Sequence, residues 1–330
     1  MHPLLKANLS KINFELGRSL AVEKTDQVSR YVPEPYRAVF TLSADFELAW
    51  AWRFSKQLAN PLPDALAKAR LARRNVPRIL TYCEQYQIPI TWATVGHLFL
   101  SECHRNGQEP HADLERLSHF ENDYWRFDRG DWYRDDPCTD YQTDPEWYCP
   151  DLIEAIRASP VDHEIGCHTF SHIDCRDGVC PPRVFRSEMK RCRELAEADG
   201  IQLDTFIYPA HTVGNLDELA SLGFTNYRSN IGNRLGYPVQ HPNGLWEIKS
   251  SMQLELRPQW SAAYHIYRAK KTINRAIKHR SVCHFWFHPS FPADYLEEVF
   301  SEVLAYLDER RDELHLTTMG QYVRWLNGRG

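Results

Sequence analysis

The chain has 330 residues, 43% of them hydrophobic and 25% charged, with a formal net charge of −5 at pH 7. That length buries one large core or two ordinary ones, and its near-average make-up excludes disordered, collagen-like and coiled-coil proteins. The mild acidity argues against a general nucleic-acid binder.

Residues 1–36 read as a leader segment that ends in the turn-rich Pro33-Glu34-Pro35, followed by one domain over 37–330. Met1 to Gln27 mixes charged and apolar residues too often for a secretory signal. No apolar run approaches the ~20 residues that span a bilayer. The expectation is a soluble, cytoplasmic protein. Its nine cysteines are then expected to be reduced packing thiols, since their number is odd and none forms C-x-x-C.

Beyond the leader, short β-rich runs alternate with helical stretches. Strands are predicted at Ala38–Ser43, Pro89–Val95, His163–His168, Asp204–Tyr208, Thr225–Ser229, Leu245–Ser250 and Val282–His288. Helices are predicted at Ala65–Gln87, Arg183–Asp199, Asn215–Ser221, Ala262–His279 and Ala293–Glu313. Strands separated by helices imply right-handed βαβ units and a mainly parallel sheet. The expected fold class is α/β, a distorted (β/α) barrel of about seven parallel strands. A doubly wound open sheet is the second architecture, although no G-x-G-x-x-G or phosphate-binding loop motif is present.

The insertion over 102–150 breaks this rhythm. Glu121 to Asp151 carries ten acidic residues against three arginines, and nine aromatics lie between Phe120 and Tyr148. A long aromatic-rich loop packs rather than wanders. It reads either as an insertion with its own small core or as a rim that offers ring faces to a sugar. In the rim reading Trp125, Trp132 and Trp147 are the sugar contacts; Trp246, in another strand candidate, either lines the same pocket or sits in the core.

Three segments could do chemistry. Asp45 and Glu47 follow the first strand and share a face if the strand continues, because strand side chains alternate. Alone, D-x-E also describes surface charge or a helix cap. His168 and His172, four residues apart at another strand end, can converge on one cation. His288 ends the apolar run Phe285-Trp286-Phe287, where a histidine is commonly structural. Together these residues are the components of metal-assisted hydrolysis, and all fall at the strand ends where barrel active sites collect.

The order TLSADFELAW, HEIGCHTFSH, TFIYPAHTVG and CHFWFHPSF resembles the polysaccharide deacetylase family over roughly residues 36–320. The resemblance implies a distorted (β/α) barrel, a divalent metal, usually zinc, and hydrolysis of N-acetyl or O-acetyl groups on sugars. Carried over by position, Asp45 is the general base, His168 and His172 are metal ligands, and His288 is the general acid. Two departures follow. Phe46 stands where the family has its second aspartate, so Glu47 becomes the third ligand. The usual third-motif arginine is missing from Phe206-Ile207-Tyr208-Pro209-Ala210-His211; the Ala210 N–H is still expected to help an oxyanion hole, with His211 filling part of the vacated space beside the substrate.

The expected function is thus a metal-dependent deacylase that releases acetate or formate from a sugar or oligosaccharide, nucleotide- or lipid-linked in one version. The alternative is a catalytically silent carbohydrate-binding member of the fold. A Cys–His hydrolase using Cys167 or Cys175, and a related hydrolase acting on non-sugar amides, complete the set. Leu256 to Ala293 has seven Lys or Arg and no acid. It reads as an outer barrel helix with a solvated basic face, or as a contact for an anionic membrane surface.

Overall fold

A computed structural model describes residues 3–16, 21–107, 109–230 and 234–328. Seven strand segments form the frame: β1 (Ala38–Phe46), β2 (Thr91–Thr94), β3 (Glu164–Cys167), β4 (Thr205–Ile207), β5 (Asn226–Ser229), a split strand made of β6 (Trp246–Lys249) and β7 (Met252–Leu254), and β8 (Val282–Phe287). Their pairings are parallel and run β6-β5-β4-β3-β2-β1-β8-β7. The split strand closes the ring: Ser250 N–H donates to Ser229 O (2.9 Å) on one side, and Ser251 N–H to His284 O (2.8 Å) on the other. The curled sheet is therefore the distorted barrel expected from the strand pattern. A last strand, β9 (Leu314–Leu316), pairs with the first residues of β1.

β1 shows how this sequence sets the polarity of the barrel interior. Its alternate residues Ala38, Phe40, Leu42, Ala44 and Phe46 belong to the main apolar cluster, whereas Val39 belongs to a second, smaller one. The other alternate positions, Thr41, Ser43 and Asp45, are polar yet buried. They share a face by the period of two. Thr41 and Ser43 hydrogen-bond the two ring nitrogens of His284 on neighbouring β8, at 2.8 and 2.9 Å. Polarity thus rises along the barrel axis toward the C-terminal ends of the strands.

The helices cover the outside. The longer ones are α1 (Pro3–Glu15), α2 (Pro61–Tyr86), α3 (Pro150–Ala158), α4 (Pro182–Ala198), α5 (Leu216–Ser221), α6 (Ala262–His279), α7 (293–309, with a π-turn at Leu296–Phe300) and α8 (Met319–Asn327). In α4, buried Val184, Phe185, Met189, Cys192 and Ala196 recur at helical spacing. α8 starts with a capping box between Thr318 and Gln321. None of the described helices is long and apolar enough to cross a membrane.

The segment before the barrel is tied down. Phe14 of α1 is buried, Ala21–Val22 pairs with Arg234–Leu235, and Glu23 bridges Arg234 and Lys249. α6 is the expected outer helix, but part of its basic face has partners: Lys271 and Tyr267 both meet Glu15, and Arg268 lies over the Phe14 and Trp260 rings.

The insertion is a packed body with little regular structure, held by two-residue strand pairs at Arg105–Asn106 with Glu109–Pro110 and at Phe120–Glu121 with Arg126–Phe127. Buried Arg53 fastens it to the barrel. Its guanidinium donates to Trp50 O, Trp132 O and Ser171 O and stacks against the Trp50 and Trp132 rings.

On the opposite wall, buried Asn75 of α2 donates to Pro289 O (2.8 Å) and Phe291 O (2.7 Å), fixing the loop that follows β8. Asn75→Leu leaves two carbonyls without this donor, at a cost of roughly 2–4 kcal/mol. A lower urea midpoint with an unchanged m-value checks this.

Candidate active site

The C-terminal ends of the strands open on a cleft of about 300 Å³ lined by Asp45, Glu47, Trp52, Tyr124, Trp125, His172, Ala210, His211, Trp286 and His288, among others. Glu47 sits one residue past β1 and is buried. Three imidazoles converge on its carboxylate. The Nε2 atoms of His168 and His172 lie 3.2 and 3.0 Å from Oε2, and Nε2 of His288 lies 3.2 Å from Oε1. Backbone conformation aids the convergence. Thr169 and His172 both have φ of 61°, so the chain after β3 turns sharply enough to aim both histidines inward.

A buried carboxylate and imidazoles at these distances need positive charge among them. His168 Nδ1–H donates to Ile207 O at 2.7 Å, so a neutral His168 presents the lone pair of Nε2 to Glu47. Glu47 Oε1 is buried with no hydrogen-bond partner. Glu47, His168 and His172 hold their donor atoms within 4.8 Å of one another. This donor set fits a divalent cation with nitrogen and oxygen ligands, and the bond from Nδ1 to a carbonyl is the usual way a ligating imidazole is oriented. Burial pushes His172 below the ordinary imidazole range, against the pull of Glu47, which keeps its ring neutral and free to ligate. Burial acts on His288 in the same sense, but the Glu47 charge outweighs it and raises His288, which favours its protonated form.

Asp45 lies on the same face as Glu47. Both its oxygens are taken by one guanidinium: Arg228 Nη1 donates to Oδ1 at 2.6 Å and Nη2 to Oδ2 at 2.8 Å. Arg228 is buried on β5, donates also to Ser43 Oγ, and its guanidinium lies 4.6 Å from the Trp286 ring centre. The arginine absent from the Phe206–His211 segment is thus supplied by the neighbouring strand. Burial alone would raise the Asp45 carboxyl; the charge and hydrogen bonds of Arg228 outweigh it and hold it at about 2. Sequence reading missed Arg228, whose only linear signal is a lone arginine inside the strand run Thr225–Ser229.

The remaining expected residues divide. Ala210, in a left-handed turn (φ 44°), and His211 border the cleft, and His211 packs edge-on against Trp286. Burial, then Arg228, lowers His211 to about 3, so it is neutral. Trp125 also lines the cleft, its ring 5.7 Å from that of His172. Trp132, Trp147 and Trp246 do not. Trp132 is sealed against Phe54 and Phe120 with its N–H on Ser171 O, and Trp147 packs on Trp50. Trp246 starts β6, at the end of the barrel away from the cleft, with its N–H on Asn327. Their large apolar rings are worth more in the core than at the rim. Trp52, Tyr124 and Trp286 line the cleft instead.

Two further details bear on the expectations. All nine cysteines are free. Cys167 and Cys175 are buried away from the cleft lining, and burial raises the Cys175 thiol well above its ordinary range, so neither is placed as a nucleophile. Behind the histidine loop, buried Glu188 of α4 accepts from Ser171 N–H (2.8 Å), Ser171 Oγ (2.7 Å) and Tyr133 Oη (2.6 Å), pinning the segment between His168 and His172.

The Asp45–Arg228 pair gives a pH test. The folded Asp45 carboxyl lies below its ordinary value of about 3.9, so its contribution to stability is present above that pH and is lost as pH falls toward 2. Arg228→Leu strands a buried carboxyl and costs about 3–5 kcal/mol at neutral pH. Asp45 is then raised by burial, so the stability deficit grows as pH rises from about 3 to about 6. Denaturant unfolding of both proteins across that range checks the slope.

The family model for polysaccharide deacetylase matches residues 64–227, which include the histidine pair and stop one residue short of Arg228. No curated protein matches the chain. Among solved structures, the chain is similar to a probable polysaccharide deacetylase from Pseudomonas aeruginosa PAO1, at 12% identity and a TM-score of 0.61, over 89% of this chain and 92% of that one. It is similar to PuuE allantoinase at 13% and 0.62, over 91% and 93%, and to Agd3, a novel carbohydrate deacetylase, at 11% and 0.51, over 89% and 54%. At these identities the likenesses speak for the shared fold; the family match assigns the chain a polysaccharide deacetylase domain over residues 64–227.

Proposed function

We propose that the protein is a metal-dependent hydrolase that removes an N-acetyl, N-formyl or O-acetyl group from a sugar in a glycan or glycan precursor. The observation that carries the reading is the convergence of Glu47, His168, His172 and His288 beside the Arg228-clamped Asp45 in one cleft. The family match supports a carbohydrate substrate, and the rings of Trp52, Tyr124, Trp125 and Trp286 supply apolar walls for one. The silent-binder alternative rested partly on the missing arginine. Arg228 supplies that contact from β5, which favours the catalytic reading.

Glu47, His168 and His172 are the residues that would hold the ion, zinc being the best fit to two imidazoles and one carboxylate. A bound divalent ion supplies a polarised acyl carbonyl and a water acidified to a pKa of roughly 7, which a base as weak as Asp45 requires. Asp45, held rigid and ionised by Arg228, accepts the proton of the attacking water. The Ala210 N–H donates to the oxygen of the acyl group as charge builds on it. His288 gives its proton to the departing sugar nitrogen, or to oxygen for an ester. Tyr124 and Trp125, at the edge of the insertion, border the entrance.

The test is acetate or formate release from a panel of N- and O-acylated sugars, with non-sugar amides in parallel. Turnover of acylated sugars that chelator removes and zinc restores is the expected result. Turnover confined to non-sugar amides overturns the substrate assignment. Asp45→Asn and His288→Gln should each lower kcat by about 10²–10⁴-fold while leaving zinc content unchanged. His168→Ala should lose the zinc of this site together with activity, read by elemental analysis of the purified variant.

A further inference from the structure

We propose a second metal site, a four-ligand zinc centre made by His97, Cys103, His111 and Asp136, that fastens the insertion to the barrel. It is separate from the cleft. His97 lies in the turn after β2, and the other three residues belong to the insertion.

The four donor atoms lie within 4.8 Å of one another and gather around one carboxylate oxygen. Asp136 Oδ2 is 3.0 Å from His97 Nε2, 2.8 Å from His111 Nε2 and 3.6 Å from Cys103 Sγ. The side chains of His97 and Asp136 are fully buried and that of His111 is 7% exposed. A tetrahedral zinc ion with bonds of about 2.0–2.3 Å sets its ligands about 3.3–3.7 Å apart, so the three distances to Asp136 Oδ2 need to change by no more than about half an ångström.

The surroundings aim these atoms. His97 Nδ1–H donates to Trp147 O at 3.2 Å, so in the neutral ring Nε2 carries a lone pair. That Nε2 is buried and has no hydrogen-bond partner, although a carboxylate oxygen stands 3.0 Å away. Two electron pairs facing each other in a sealed space call for a cation between them. The other Asp136 oxygen, Oδ1, accepts from Cys138 N–H (3.0 Å) and the Tyr148 hydroxyl (3.3 Å), which leaves Oδ2 for the cluster. Backbone and hydroxyl contacts of this kind normally orient ligating imidazoles and carboxylates. A thiolate with two imidazoles selects zinc over calcium or magnesium, and four protein ligands leave no open position, which makes the site structural.

The site answers a need of the fold. Among the described residues, the insertion between Cys103 and Cys149 has no strand longer than two residues and no helix, yet Trp125 from it forms a wall of the cleft. An ion shared by His97, Cys103, His111 and Asp136 cross-links this stretch at three points to the turn beside β2. It does so without a disulfide.

Cobalt titration of the reduced, metal-stripped full chain tests this directly, because the Glu47 group contains no sulfur. The expected result is a near-ultraviolet thiolate-to-cobalt charge-transfer band that saturates by two equivalents in the wild type and at one in His168→Ala. The band should persist in His168→Ala and in Cys138→Ser, and vanish in Cys103→Ser. Zinc content should fall by one ion per chain in Cys103→Ser and by a different one in His168→Ala. A wild-type chain that shows no thiolate band at saturating cobalt overturns the site, as does a band that survives Cys103→Ser. If Cys103→Ser fails to fold, the wild-type and His168→Ala spectra still decide. Loss of the cleft metal alone leaves this site standing, so the two readings fail separately.

Discussion

The site depends on one electrostatic constraint: Glu47, a carboxylate buried at the mouth of the barrel, faces three imidazole nitrogens at about hydrogen-bond distance. Such a group is stable only with positive charge at its centre, whether a metal ion or protons on the rings. The barrel is built to tolerate it. Its interior turns from Val39 through Thr41, Ser43 and His284 to Asp45 and Glu47, so polar groups are stacked and satisfied in layers before the open end is reached. The outward residues of the same strand, Phe40, Leu42 and Phe46, supply the apolar contact with the surrounding core.

Holding that arrangement requires support from elements far apart in the chain. Glu188 of α4 ties the histidine loop from behind, Asn75 of α2 fixes the loop after His288, and Arg53 joins both the insertion and Ser171 to the first turn after β1. Each is buried and charged or polar, and each is paired. Their role is to set geometry, since a buried polar group with all its partners made is rigid and costly to displace.

Arg228 shows how a contact expected from the segment after one strand is made from its neighbour. β4 and β5 are adjacent and in register, Ile207 opposite Arg228, so an arginine on β5 reaches the same interior region as one following β4. From there it makes both bonds to Asp45 and still packs on Trp286. A linear motif search looks for the arginine along the chain; the barrel places it across the sheet. The acidic, aromatic insertion teaches a similar lesson. Most of its rings, among them Trp132 and Trp147, join the main apolar cluster, and only its edge, Tyr124 and Trp125, reaches the cleft.

Much of the fold was legible in linear pattern. The seven strands, the helices α2, α4 and α6, and the pairing of Asp45 with Glu47 on one face follow from local periodicity, because alternation and helical spacing are properties of neighbouring residues. The sequence by itself therefore determined the barrel class and the family resemblance, and it singled out Asp45, Glu47, His168, His172 and His288, which the fold gathers at one cleft. Less was legible where the signal is short or non-local. α1, α3 and α8 escaped notice, α3 because its nine residues follow directly on the aromatic insertion. Only the tertiary structure decided that Arg228 clamps Asp45, that Trp246 lies at the far end of the barrel, and that His97, Cys103, His111 and Asp136 meet. Those facts depend on strand register and on the path of a long loop, which bring together residues up to 183 positions apart and leave no periodic trace in the chain.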